Sequence, residues 1–327
     1  MPNTEEQTTQ VGLSPATAVK PQRLIIDCDP GIDDAVSIAL AVGSPELEIL
    51  GITTVAGNVG IQETTTNALG LLAAFGRDEI PVAAGAHRGL VRTKADHRFV
   101  HGENGIGGVD LAPARRAVNS EHAVDFLSNI LSRHGPRSVT IAAIGPLTNI
   151  AMLLALRPEL IDNIEELVIM GATAGGGNIT PVAEYNTWAD PEAAQRVFTT
   201  VGLKIRLLEL QITRRATVDQ GVVATMRAES PRGDLLADMI DGYEDRTPDG
   251  QPLHDALAIA AIVDPTLIET RPASVEVNTH SDSQRAETVF DFGPAAANSN
   301  LQVAVEFDLK RFRELLIARV AGPVQGE

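Results

Sequence analysis

The chain has 327 residues, 44% of them hydrophobic, enough to bury a large core in one domain or two. Its net charge of −17 and pI near 4.8 argue against a nucleic-acid or anionic-membrane partner, since both need a basic face. Aromatics at 3% leave few platforms for base stacking, the single cysteine precludes an internal disulfide, and no apolar run approaches a membrane span. Residues 1–22 are polar and lack an apolar signal region. They read as a disordered tail, and a soluble cytoplasmic protein is the default.

Leu24-Ile25-Ile26 reads as a short buried strand, and Ala35 to Ala41 as an apolar helix. Pro30-Gly31 makes the turn between them. Asp27, Asp29, Asp33 and Asp34 fall within this turn. Asp27 and Asp29 are two apart at the strand's end, on one side if the strand persists; Asp33 and Asp34 are in the helix's first turn, where the dipole favours negative charge. Acids this close repel one another, and a hard divalent cation with oxygen ligands is the natural compensator. Cys28 lies among them, where negative charge disfavours a thiolate nucleophile.

A second strand spans Leu47–Val55 and ends in Ala56-Gly57-Asn58. A helix over about 61–75 and a short strand over 81–85 follow. A long irregular stretch, about 87–119, holds His101-Gly102-Glu103-Asn104-Gly105; loops this long inside a compact domain are usually functional. Then come a helix to His134, a strand ending before Ile144-Gly145-Pro146, a helix from Leu147, and the strand Leu167–Met170. The glycine run 175–177 lacks the lysine and spacing of a P-loop and leads into Asn178 and Glu184-Tyr185-Asn186. Asp190-Pro191-Glu192 opens a helix with Asp as N-cap and Pro at the first position. A strand over 204–208 precedes Gln211-Ile212-Thr213. Two helices and a polar breaker stretch, 245–251, lead to His254-Asp255 and a further helix. Strands near 274–277, 285–290 and 301–305 precede a final amphipathic helix from Asp308 to Val320.

This alternation predicts an α/β single domain over 23–320: a mostly parallel, Rossmann-like central sheet flanked by helices, with a late antiparallel addition and a C-terminal tail over 321–327. Most of the polar candidates follow strands, so they converge at the carboxyl edge of the sheet. His254-Asp255 joins them through a helix N-terminus.

Asp27-Cys-Asp-Pro-Gly-Ile-Asp-Asp34 resembles the aspartate motif of the inosine–uridine preferring nucleoside hydrolases. The resemblance extends over about 23–320 and includes Thr53 to Asn58, His101 to Gly105, Gly145 to Asn149, Asn178 to Asn186, Ala189 to Ala193 and His254-Asp255. It implies Ca²⁺-dependent hydrolysis of the N-glycosidic bond of ribonucleosides to ribose and free base. The transition state would be oxocarbenium-like, with a metal-bound water as nucleophile. By the same resemblance Asp29, Asp34, Asp255 and the Ile144 carbonyl ligate the ion, Asp29 is the general base, and Asp27 supports the loop. Asp33, Asn58, Asn178, Glu184, Asn186 and Asp255 hold the ribose, and Met170 packs beneath it. His254 acts as the general acid or orients that donor, and His101 contacts the base. Tyr243 is open between core packing and base contact, whereas Trp188 reads as packing. A small-molecule riboside is the partner, and a homo-oligomer, dimer or tetramer, is expected by resemblance.

Three departures bear on the base: Gln211-Ile212-Thr213-Arg214 where Asp-x-Thr-His is common, few aromatics before His254, and Ala256 where Pro is common. Alternative readings are a hydrolase of another N-riboside, such as nicotinamide riboside, and a non-catalytic ribose- or Ca²⁺-binding relative.

Overall fold

The computed structural model describes residues 20–92, 98–320 and 322. Most of the expected tails, 1–22 and 321–327, and residues 93–97 of the 87–119 stretch thus lie outside the described residues. Strand β1 (Gln22–Cys28) leads through the acidic turn into α1 (Ile32–Val42), followed by β2 (Leu47–Thr54), α2 (Ile61–Ala74) and β3 (Val82–Ala84). The long stretch contributes the short α3 (Arg98–His101). Next come α4 (Ala123–Arg133), β4 (Val139–Ala143), α5 (Thr148–Leu156), β5 (Ile164–Met170), α6 (Tyr185–Ala189), α7 (Pro191–Phe198) and β6 (Ile205–Leu208). The last third holds α8 (Leu210–Thr213), β7 (Thr217–Val218), α9 (Gln220–Glu229), α10 (Pro231–Asp241), β8 (Gln251–Pro252) and α11 (His254–Val263). It ends with β9 (Ile268–Pro272), β10 (Ser274–Val277), β11 (Thr288–Asp291), β12 (Leu301–Phe307) and α12 (Leu309–Val320).

Eight strands form the central sheet in the order β3-β2-β1-β4-β5-β6-β12-β9, parallel except for β9 at one edge. Central β1 is buried on both faces. Leu24, Ile26 and Cys28 enter one core with α1, α2 and α9 to α12, and Ile25 enters the other with α4, α5 and α7. This accounts for the unbroken apolar run in its sequence, since parallel strands are covered on both sides.

The α/β expectation holds, late antiparallel addition included. Segment 301–305 forms β12, which pairs parallel with β6 in the main sheet and antiparallel with β9. The antiparallel additions are β9 on β12 and the separate pair β10–β11. Strand β9 was not anticipated, because its charged Glu269 and Arg271 sit on an exposed edge where no apolar alternation is needed. No helix among the described residues is long and apolar enough to cross a membrane.

Candidate active site

The strand order reverses between β1 and β4, and ligands of open α/β sheets bind at such a switch point. A cleft opens there. Asp29, Asp33, Asn58, His101, Ile144, Met170, Asn178, Glu184, Asn186, His254 and Asp255 all line it, so the structure brings together nearly every residue singled out from the sequence. Asp27 and Asp34 are fully buried behind them. Val100, Tyr185, Tyr243 and Asp245 complete the wall.

The acids are arranged by local backbone rules. Asp34 lies in the first turn of α1, and its carboxylate accepts the N–H of Gly31 (2.8 Å) and of Asp29 (3.3 Å). This closes the Pro30-Gly31 turn and satisfies donors at the helix end. Asp29 follows β1 and accepts the Asn58 N–H on Oδ2 (2.7 Å). The Asn58 amide donates to the Asp29 carbonyl (3.1 Å) and to Asp34 Oδ2 (3.2 Å), so Asn58 ties the acids together as well as lining the cleft. Two glycines make room for the Asp29 carboxylate. A Cβ on Gly57 would overlap it, and one on Gly145 would lie 2.5 Å from Oδ1. Asp27 accepts from Thr53 (2.5 Å) and Asn149 (2.8 Å) on Oδ1, whereas its Oδ2 is buried without a partner among the described residues.

One carboxylate oxygen from each of Asp33, Asp34 and Asp255 lies within 4.8 Å of the others. This grouping takes Asp33 where the resemblance takes Asp29, while Asp29 lines the same cleft. Burial raises these acids, and they reinforce one another. Asp34 is pushed up to about 8 by burial and by Asp33. Asp255 is raised well above its ordinary range by burial and by Asp33, Asp34 and Asp29. Asp33 is raised by burial, opposed by His254, and Asp27 is raised to about 6 by burial, opposed by Thr53 and Asn149. An all-oxygen, mostly carboxylate donor set of this kind fits a hard divalent ion. Burial and the same acids push the Cys28 thiol up, in keeping with a non-nucleophilic role.

Opposite the acids, Glu184 caps α6 by accepting the N–H groups of Asn186 (2.7 Å), Thr187 (2.9 Å) and Ala172 (2.9 Å). The Asn186 amide donates to the carbonyls of Ile144 (3.0 Å) and Met170 (3.2 Å), and Asn178 Oδ1 accepts the Tyr185 N–H. At the third wall His101 Nδ1 accepts the Ile32 N–H (3.2 Å), and its ring packs 5.3 Å from that of Tyr243. His254 opens α11, with Nδ1 2.8 Å from Thr213 Oγ1 and Nε2 3.2 Å from Asp245 Oδ2. Gln211 and Arg214 instead hold the glycine run: Gln211 donates to Thr173 and the Gly176 carbonyl, and Arg214 to the Gly177 carbonyl. Trp188 packs against Tyr185 and does not line the cleft.

Four lining residues went unassigned from sequence or were left open. Tyr243 is 2% exposed, as a packing residue is, and it also lines the cleft. Asp245 sits in the polar stretch 245–251, which reads from sequence only as a breaker. Its pairing with His254 spans nine residues through irregular backbone, and no periodicity records it. Val100 and Tyr185 adjoin singled-out residues and carry no motif of their own.

An acid cluster suited to a cation and a polar wall opposite it share one cleft at the carboxyl edge of a parallel sheet. That organisation is the one expected of an α/β enzyme with a small polar substrate, and its acids could hold a metal ion. Residues 24–314 match the family model described as inosine-uridine preferring nucleoside hydrolase. The chain belongs to that family and is an N-glycosyl hydrolase; the family is metal-dependent, and Asp33, Asp34 and Asp255 can hold a metal ion. It is 42% identical over 293 residues to the non-specific ribonucleoside hydrolase RihC of Escherichia coli, covering 89% of this chain and 95% of that one. Among solved structures, the purine-preferring ribonucleoside hydrolase from Gardnerella vaginalis superposes with a TM-score of 0.86 at 33% identity. It covers 93% of this chain and 99% of its own. A plant nucleoside hydrolase superposes with a TM-score of 0.85, also at 33% identity, over 93% and 100% of the two chains.

Proposed function

We propose that the protein hydrolyses the N-glycosidic bond of ribonucleosides, giving ribose and free base, in a Ca²⁺-dependent reaction. The observation that carries this reading is the sharing of one cleft by the carboxylates of Asp29, Asp33 and Asp255 and the polar wall of Asn178, Glu184 and Asn186. Asp34 and Asp255 would hold the ion, with Asp29 or Asp33 beside them and the Ile144 carbonyl, whose second lone pair is compatible with its bond from Asn186. When bound, Ca²⁺ would supply positive charge among the acids and would make a water easier to deprotonate.

The remaining work falls to the side chains. Asp29, held by Asn58 and wedged between Gly57 and Gly145, takes the proton of the attacking water as general base. Asp33 accepts hydrogen bonds from ribose hydroxyls, and Asn178, Glu184 and Asn186 face the other end of the sugar, over Met170. The net negative wall favours a ribosyl group that becomes cationic as the C–N bond breaks. His254 delivers a proton to the departing base, and His101 and Tyr243 flank that base. A 2′-deoxyribonucleoside is a poor substrate, because it leaves buried polar groups without a partner. A homo-oligomer belongs to this reading on the family resemblance, and light scattering of the purified protein tests it.

The test is ribose release from uridine, cytidine, inosine, adenosine, guanosine and nicotinamide riboside, with added calcium and after exhaustive chelation. Calcium-restored turnover that falls by about a hundredfold or more in Asp29→Asn is the expected result. Turnover indifferent to both chelation and Asp29→Asn overturns the reading.

A further inference from the structure

Between β5 and α6 the backbone is irregular, and residues 174–176 and 178 are exposed. Asn178 nevertheless lines the cleft. Within this segment the backbone hydrogen bonds are local and at the long end of the usual range. The Gly177 N–H meets the Pro181 carbonyl (3.2 Å), and the N–H groups of Asn178 (3.2 Å) and Ile179 (3.3 Å) share that of Ala183. A surface loop held only by such bonds has many conformations to choose from, and fixing one of them costs entropy.

Two side chains of α8 and its cap make the choice. Gln211 Nε2 donates to the Gly176 carbonyl (2.8 Å) and to Thr173 Oγ1 (2.9 Å), and Arg214 Nη2 donates to the Gly177 carbonyl (3.0 Å). Among the described residues, these are the only side chains outside 173–185 that hydrogen-bond residues 175–182. The glycines permit this approach. A Cβ on Gly175 would lie 3.0 Å from Gln211 Cδ, and one on Gly177 would lie 2.0 Å from the Ala183 carbonyl oxygen. The start of α8 is itself anchored. The Glu209 carboxylate accepts the N–H groups of Gln211 (2.9 Å), Ile212 (3.2 Å) and, from the loop's first turn, Ala174 (2.9 Å), and the Leu210 N–H bonds the Ala172 carbonyl (3.0 Å).

This clamp bears on Asn178. Its Oδ1 already accepts the Tyr185 N–H (2.9 Å), so what it offers a ligand is the donor NH₂ group. A ribose whose 2′- and 3′-hydroxyls meet the acids presents its 5′-hydroxyl to the opposite wall, where Asn178 stands. We propose that Gln211 and Arg214 are positioning residues: from α8 and its cap they hold the carbonyls of Gly176 and Gly177 and so fix the Asn178 amide at the 5′ end of the bound ribose. The inference rests on the reading of the cleft as a ribonucleoside site and adds the residues that set its grip on the 5′-hydroxyl. It also gives a role to Gln211 and Arg214, two of the departures noted in the sequence.

The experiment removes either end of the contact. Uridine and inosine are each compared with the 5′-deoxy analogue, so the ratio of kcat/KM values reads the grip on that one hydroxyl. Gln211 is the residue to change, because the charge of Arg214 also acts on Asp245. Gln211→Ala is expected to cut the wild-type ratio about five- to twentyfold, by slowing the ribonucleoside while leaving its 5′-deoxy analogue within about twofold of wild type. Gln211→Glu keeps the shape of the side chain but turns a carboxylate oxygen towards the Gly176 carbonyl. It gives the same result and carries the comparison if the alanine variant folds poorly. Hydrogen–deuterium exchange reads the loop without reference to activity. The amides of residues 177–179 are expected to exchange about tenfold faster in either variant, while α7 and α11 exchange as in wild type.

A ratio that the variants leave unchanged overturns the inference, as does exchange at 177–179 that stays at the wild-type rate. So does a wild type that turns over a ribonucleoside and its 5′-deoxy analogue equally well. Failure of the wild type, with calcium, to hydrolyse any ribonucleoside instead removes the functional reading beneath it, and this inference with it.

Discussion

The Asp29 carboxylate fits only because the chain has no side chain at two neighbouring positions. Gly57 closes β2 into its loop and Gly145 follows β4, and a Cβ at either would enter the space of that carboxylate. Gly57→Ala therefore acts on the acid, not on backbone freedom. It is expected to cost about 1–3 kcal/mol of stability by overpacking. By shifting Asp29, the proposed general base, on the order of 1 Å, it should also lower kcat about a hundredfold. Urea denaturation and steady-state ribose release measure the two effects. A variant that loses stability but keeps kcat would show that Asp29 can move aside without cost and is not the base. The aspartates themselves were legible in the sequence, since four acids in one strand–helix turn demand a compensating ion. The glycines were legible only as turn residues, because what a missing Cβ makes room for is settled by strands far apart in the chain.

Among the elements, α6 shows a side chain with two claims on it. From sequence, Glu184 reads as a ribose contact by resemblance, and the short helix after it is not visible. In the structure its carboxylate accepts three backbone N–H groups while also lining the cleft, and burial raises its pKa against the pull of those bonds. Glu184→Ala is expected to destabilise the protein by about 2–4 kcal/mol, from loss of the cap and exposure of unsatisfied donors. It should also raise KM for a ribonucleoside. Glu184→Gln retains an acceptor and should recover part of the stability but little of the KM. If KM rises in Glu184→Ala with no change in denaturation midpoint, the cap contributes nothing and the residue serves only the sugar. Elements with strong periodicity or clear caps, such as α1 and the Asp190-Pro191 start of α7, were read within a few residues. Strand β9, short α6 and the loop carrying Asp245 were not, because tertiary pairing rather than local pattern determines them.

At the scale of the whole molecule, the site stores like charge at the switch point of the central sheet. In metal-free protein that charge opposes folding. Asp27 is raised from 3.8 to about 6 and Asp34 from 3.8 to about 8, so both hold a proton more tightly folded than unfolded. The stability they contribute is complete below the unfolded value of 3.8 and is lost as pH rises through 6 and then 8. Surface acids whose carboxyls are held below their ordinary range, Asp219 by a helix end, Asp264 by the Thr266 hydroxyl and Glu306 by Arg215, work the other way, but only at lower pH. A bound divalent ion pairs with the ionised cluster, so its contribution grows over the range where the free acids weaken the fold. The expected result is a melting temperature that falls in chelated protein from about pH 5 to pH 8, and a calcium-induced rise in Tm that widens over the same interval. Scanning calorimetry at matched ionic strength, with calcium and with chelator, measures both. Parallel curves would mean that the buried acids find their counter-charge within the protein and that the cluster is not an ion site. A gap that widens with pH but is reproduced equally by magnesium would keep the ion site and remove calcium as its specific occupant.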